Sequence, residues 1–241
     1  MTQHAFKPVL LDLLRQAQIS QNTFMQELTP AERAAIGTPQ FWTIKDHVAH
    51  MTFWRQRLVL HLQALLRKAP QPKSEDFEQL NPLIFEQQRY RPWSDIIVES
   101  DQVYAELIAL ADQLSEEDLT AFNRFRFDWI HEGEPLYTAF MGNCYEHTQN
   151  HLAQYSVDRD DLERALDTYE VWAKRVLEAG VPETLQGYVL YNLACFYATH
   201  SRLEKAWAHL QQAFTLYPET REFAFTDPDL VEFHLKQPEK G

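Results

Sequence analysis

Apolar residues recur at helical intervals along most of the chain, with few strand-like alternations. Val9, Leu10, Leu13, Leu14, Ile19, Phe24 and Leu28 mark a first amphipathic helix. Thr29-Pro30-Ala31-Glu32 predicts a short helical turn, with threonine as cap, proline at the first position and the acid following. Thr43 then opens a long second helix, and Asp46 stands three residues on in the capping-box position. Val48, Met51, Phe53, Trp54, Leu58, Leu60, Leu62, Leu65 and Leu66 carry that helix to about residue 68. Ala69-Pro70-Gln71-Pro72-Lys73-Ser74 predicts a loop, and Leu80-Asn81-Pro82-Leu83-Ile84-Phe85 the start of a short helix. Trp93-Ser94-Asp95 opens a third long helix through Ile96, Val103, Tyr104, Leu107 and Leu110, and Ser115-Glu116-Glu117-Asp118 is another cap. In Phe125-Arg126-Phe127-Asp128-Trp129 aromatic and charged residues alternate, which predicts an extended stretch. A fourth helix runs from near Pro135 to about Tyr155. Four long helices with a long crossover between the second and third describe a four-helix bundle, so the expected fold class is all-α.

The polar run Ser156-Val157-Asp158-Arg159-Asp160-Asp161 divides the chain into a bundle, 1–157, and a helical C-terminal region, 158–241. In the second part a helix at 162–179 breaks at Gly180-Val181-Pro182. Two more helices follow, split at His200-Ser201-Arg202, and Asp227-Pro228-Asp229 starts a final short one. Leu190, Leu193, Ala194, Tyr197, Ala206, Leu210, Ala213 and Pro218 place small residues where two helices must approach closely. This spacing resembles one tetratricopeptide (TPR) repeat, with Ser201 near the usual turn glycine. Trp172 stands where a preceding repeat wants a small residue, so helix 162–179 is not a regular partner repeat. The resemblance implies a packing appendage or a surface for a protein partner.

Composition narrows the function. The net charge of −13 repels phosphate backbones and anionic headgroups, so nucleic acid and membrane are excluded as partners. The N-terminal residues lack the basic and apolar pattern of a signal peptide, and no apolar run reaches the roughly 20 residues of a membrane span. With two cysteines in separate helical patterns, Cys144 and Cys195, the expectation is a reduced, cytoplasmic protein.

The chemistry lies in the fourth helix. His147 and His151 sit at i and i+4, on one helix face a turn apart, and two imidazoles so placed can grip one divalent metal. Thr148 occupies the position where a zinc peptidase would carry its glutamate base, so peptidase chemistry is not expected. Trp42-Thr43-Ile44-Lys45-Asp46-His47-Val48-Ala49-His50 supplies two candidate third ligands, His50 and its rival His47. Cys144, three residues before His147, is a further candidate, with a buried neutral thiol as the alternative.

The ordered pattern Trp42-Thr43-x-x-Asp46-x-x-x-His50, followed by Gly142-Asn143-x-Tyr145-Glu146-His147-x-x-x-His151-x-x-Gln154, resembles the DinB-like superfamily of bacterial four-helix bundles over about residues 5–155. Asp76-Phe77-x-x-Leu80-Asn81-x-x-Ile84-Phe85 and Leu114-Ser115-Glu116-Glu117-Asp118-Leu119 look closest to its ClbS/DfsB-like branch. The resemblance implies a metal held by one histidine of the second helix and two of the fourth, here His50, His147 and His151. His50 is favoured over His47 because it stands eight residues after Trp42, as in the family pattern. The implied ion is zinc, nickel or iron, each compatible with three neutral imidazoles. The implied activities are a metal-dependent thiol transfer or hydrolysis acting on a small molecule. The alternatives are a metal-independent, self-protective hydrolase of the ClbS kind and a non-enzymatic interaction module. Such bundles also imply homodimers formed through their long helices.

Overall fold

The computed structural model describes residues 5–73, 76–125 and 133–233. Every regular element among them is helical, so the fold is all-α. The chain divides into two compact units, Met1–Ala165 and Leu166–Gly241.

The first unit is built on four long helical runs: α1 (Phe6–Gln26), α3 (Ile44–Leu66), α5 (Trp93–Gln113) and a composite fourth. Between them lie short helices, α2 (Pro30–Ala34), α4 (Phe77–Gln88) and α6 (Glu116–Thr120). The fourth run is α7 (Tyr137–Phe140), a π-helical segment (Met141–Glu146) and α8 (His147–Val157) in direct succession. Helix α3 packs on both α5 and α8, while α1 packs on α5 and the π segment. The central place of α3 shows in its burial, because the whole stretch Ile44–Thr52 is withdrawn from solvent. Phe140, Leu10, Leu13, Leu14, Ile44, Met51, Leu58, Leu62 and Ile96 fill the core between the helices.

Helix starts follow the sequence closely. Thr43 Oγ1 accepts from the Asp46 amide, and Asp46 Oδ2 accepts from the Thr43 amide at 2.8 Å, closing a buried capping box. Thr29 with Glu32 and Ser115 with Asp118 repeat the motif at α2 and α6. In each case two amides that the helix leaves unpaired find side-chain oxygens. Gly37 has no side chain because a β-carbon there would overlap the Asp46 carboxylate. Helix α4 starts earlier than Leu80, at Phe77, because the Asp76 carboxylate caps the amides of Glu78 and Gln79. Apart from Phe125, the stretch expected to be extended lies outside the described residues.

One polar chain ties the four long runs together inside the apolar core. Gln21 of α1 donates to Ser100 Oγ of α5 at 3.2 Å and accepts from Arg55 of α3 at 2.8 Å. Arg55 also donates to Thr148 Oγ1 of α8, and its guanidinium lies 4.6 Å over the Tyr104 ring of α5. Thr148 and Tyr104 both donate to the carbonyl of Cys144 in the π segment.

The second unit holds the greater part of α9 (Leu162–Glu178), with α10 (Glu183–Thr199), α11 (Leu203–Leu216), α12 (Thr220–Ala224) and a 3₁₀ turn (Pro228–Phe233). Helices α10 and α11 pack together, with Ala194, Ala206 and Ala213 fully buried. Ser201 between them adopts a left-handed conformation, φ 60°. Gly187 permits the closest approach: a β-carbon there would lie 2.6 Å from Tyr217 Cβ and 2.9 Å from its amide nitrogen. Gly187→Ala therefore forces backbone apart and is expected to cost about 1–3 kcal/mol, read as a lower urea midpoint. An unchanged midpoint would mean that the two segments yield freely.

Candidate metal centre

Two helices bring four histidines to one place. The capping box at Thr43 fixes where α3 begins, and His47 and His50 then lie one turn apart on it. His147 and His151 open α8, at the end of the π segment. His50 Nε2 lies 3.2 Å from His147 Nε2, which is 2.8 Å from His151 Nε2. One ligand atom from each of these three rings falls within 4.8 Å of the other two. His47, the rival candidate, is in the same cluster but meets it differently, with its Nδ1 2.8 Å from His151 Nδ1.

Trp42 covers the group. Its ring lies parallel to His151 at 6.1 Å and to Phe85 of α4 at 5.7 Å, and edge-on to His50 at 5.2 Å. Trp54, one turn beyond His50, donates to Asn81 Oδ1 at 3.1 Å and packs against Phe77, so α4 is anchored beside the cluster at both ends. His47 and His50 are buried, whereas His147 and His151 are partly exposed.

Burial dominates the electrostatics. It pushes His47 down to about 3 and His50 to about 4, and holds His147 and His151 well below the ordinary imidazole range. All four rings are therefore neutral near pH 7, the state that offers nitrogen lone pairs. The other charges acting on them are positive: Arg55 on His147 and His151, and Arg159 on His47. Cys144 stays outside the ligand group. It is fully buried, and desolvation pushes its thiol up to about 12, so it is a neutral core residue.

The donor set fits a divalent cation. Nitrogens that each sit about 2 Å from a shared metal lie about 3 Å from one another, the spacing of the His50–His147 and His147–His151 pairs. Nδ1 of His50 is buried without a hydrogen-bond partner, so Nε2 is the atom through which that ring makes its polar contact.

The DinB superfamily model matches residues 13–155. The chain belongs to the DinB superfamily. Members of this superfamily typically bind divalent metal, and the His50, His147 and His151 cluster of this DinB bundle could hold one. No curated protein and no solved structure matches the chain. Among the described residues, no helix is long and apolar enough to cross a membrane.

The sequence offered His47 only as a rival to His50, whereas the structure brings both rings to the pair on α8. Two histidines at i and i+3 on α3 share a face, so the signal lay in Asp46-His47-Val48-Ala49-His50, although the family register directs attention to His50 alone.

Proposed function

We propose that His50, His147 and His151 hold one divalent metal, and that the bundle uses this centre to act on a small molecule by thiol transfer or hydrolysis. The observation that carries the reading is the convergence of three Nε2 atoms, from two helices about 100 residues apart in sequence, at 2.8 and 3.2 Å. A cation bound by neutral imidazoles stabilises thiolate or hydroxide at neutral pH. The chain's own part is to keep the rings neutral by burial, to fix their directions from two helices, and to shield them under Trp42. Because the ligands bring no negative charge and Arg55 and Arg159 add positive charge, the site favours an anionic group on its substrate.

Elemental analysis of natively purified protein tests this directly. Near-stoichiometric zinc, nickel or iron is expected in the unmutated chain and none in His147→Ala, with the helical signal by circular dichroism retained in both. Equal metal content in the two proteins would overturn the assignment.

We also assign the bundle to the ClbS/DfsB-like branch and the Leu190–Pro218 segment to a tetratricopeptide-like hairpin, which serves as a packing appendage or as a surface for a protein partner. The first is supported by the segment around Asp76–Phe85, which forms α4 against Trp54 and Trp42. The second is supported by the close α10–α11 packing over Ala194, Ala206 and Ala213. An activity untouched by chelators and by His50→Ala would replace the metal-dependent reading with the metal-independent hydrolysis of that branch.

A further inference from the structure

His47 touches the candidate centre through a single ring-to-ring hydrogen bond, and that bond constrains where protons can sit. The residue is buried, 3% exposed, one turn before His50. Its Nδ1 lies 2.8 Å from Nδ1 of His151, while its Nε2 is buried with no partner among the described residues. Two neutral imidazole nitrogens at this distance share one proton, so one ring donates and the other accepts. A ring that offers Nε2 as a lone pair carries its proton on Nδ1. When His151 turns a bare Nε2 toward His147 and His50, its Nδ1–H must donate. His47 must then accept on Nδ1 and hold its own proton on Nε2. The reverse arrangement, with His47 donating, moves the His151 proton onto Nε2, where it points at His147 Nε2 and blocks the convergence.

We propose that His47 is a positioning residue which, by accepting from His151 Nδ1–H, sets the tautomer and ring direction that make His151 a metal ligand. The proposal rests on the metal-binding reading above. His50 differs, because its Nδ1 is buried with no such partner. An acceptor behind a ligating histidine raises the basicity of the ligand and restricts its rotation, and losing one typically weakens metal affinity by roughly 10–100-fold.

The test uses the full chain and Zn²⁺ alone. Long-range ¹⁵N–¹H correlation spectra of the zinc-loaded, ¹⁵N-labelled protein are expected to show His151 protonated on Nδ1 and His47 protonated on Nε2. Competition with a chelating dye should show His47→Phe binding zinc roughly 10–100-fold more weakly. His47→Gln, whose amide oxygen can accept the same hydrogen bond, should recover part of the loss. A purely structural role would move neither the tautomer nor the recovery. Wild-type affinity in His47→Phe, with His147→Ala unable to bind, would overturn this inference and leave the metal centre standing. A His151 proton on Nε2, or coordination by His47 itself, would overturn it too, and these spectra decide the matter even if His47→Phe fails to fold. If the unmutated chain binds zinc no better than His147→Ala, the metal reading falls and this inference with it.

Discussion

Lowering the pH from 7 to 5 is expected to strip about 4 kcal/mol from the stability of the metal-free bundle through His47 and His50 alone. Both rings have folded values, about 3 and about 4, far below the unfolded reference of 6.5. The unfolded chain therefore takes up protons that the folded chain refuses, and acid favours unfolding. The stabilising contribution is complete above about pH 6.5. It declines by about 1.4 kcal/mol per pH unit and per ring until the folded values are reached. His147 and His151 are lowered by the same burial and act in the same direction. Against a typical total of about 5–15 kcal/mol, the loss is a large share of the stability. Urea titrations of chelator-treated protein at pH 7 and pH 5 measure it. Equal midpoints at the two values would show that the rings are not held neutral and buried.

The second large effect concerns Arg55. Arg55→Ala is expected to destabilise the bundle by about 3–5 kcal/mol, seen as a collapse of the denaturation midpoint. The guanidinium is fully buried and touches residues of all the other long runs: Gln21, Tyr104 and Thr148. Truncation leaves a cavity at the bundle axis and strips the donor from Gln21 Oε1. The charge itself is not what stabilises. Desolvation lowers the Arg55 pKa, and both its Nε and Nη1 lack partners. Arg55→Met combined with Gln21→Leu, which fills the space and removes the stranded acceptor, should therefore lie much closer to the unmutated protein than Arg55→Ala does. A loss below about 1 kcal/mol for Arg55→Ala would show that the network is dispensable.

These two effects mark where sequence reasoning stops. The long helices and their caps could be read from local chemistry, because Thr43 with Asp46, or Ser115 with Asp118, are contacts three residues apart. His147 and His151 were legible for the same reason, being separated by one helical turn. Assigning His50 to them needed the family pattern, since the spacing within Trp42–His50 leaves His47 equally eligible. The rest depends on partners distant in the chain. That Arg55 lies on the inner face of α3 follows from helical periodicity only if a charge is allowed inward, and what permits it is Gln21 and Thr148, 34 and 93 residues away. The His47–His151 bond, across 104 residues, is likewise a product of packing. No local signature distinguishes Met141–Glu146 from ordinary helix, although that segment takes the π form.

That segment makes the centre sensitive to chain length as well as to residue identity. A π turn accommodates one residue more than an α turn, so it absorbs a single insertion without shifting the flanking helices. Were the run to relax to α geometry with every residue kept, everything after it would rotate by about 100° relative to α7. Helix α8 would keep its composition and amphipathic character, yet both imidazoles would swing off the face that meets α3. The π turn thus keeps both imidazoles toward α3 while carrying one residue more than continuous α-helix would allow.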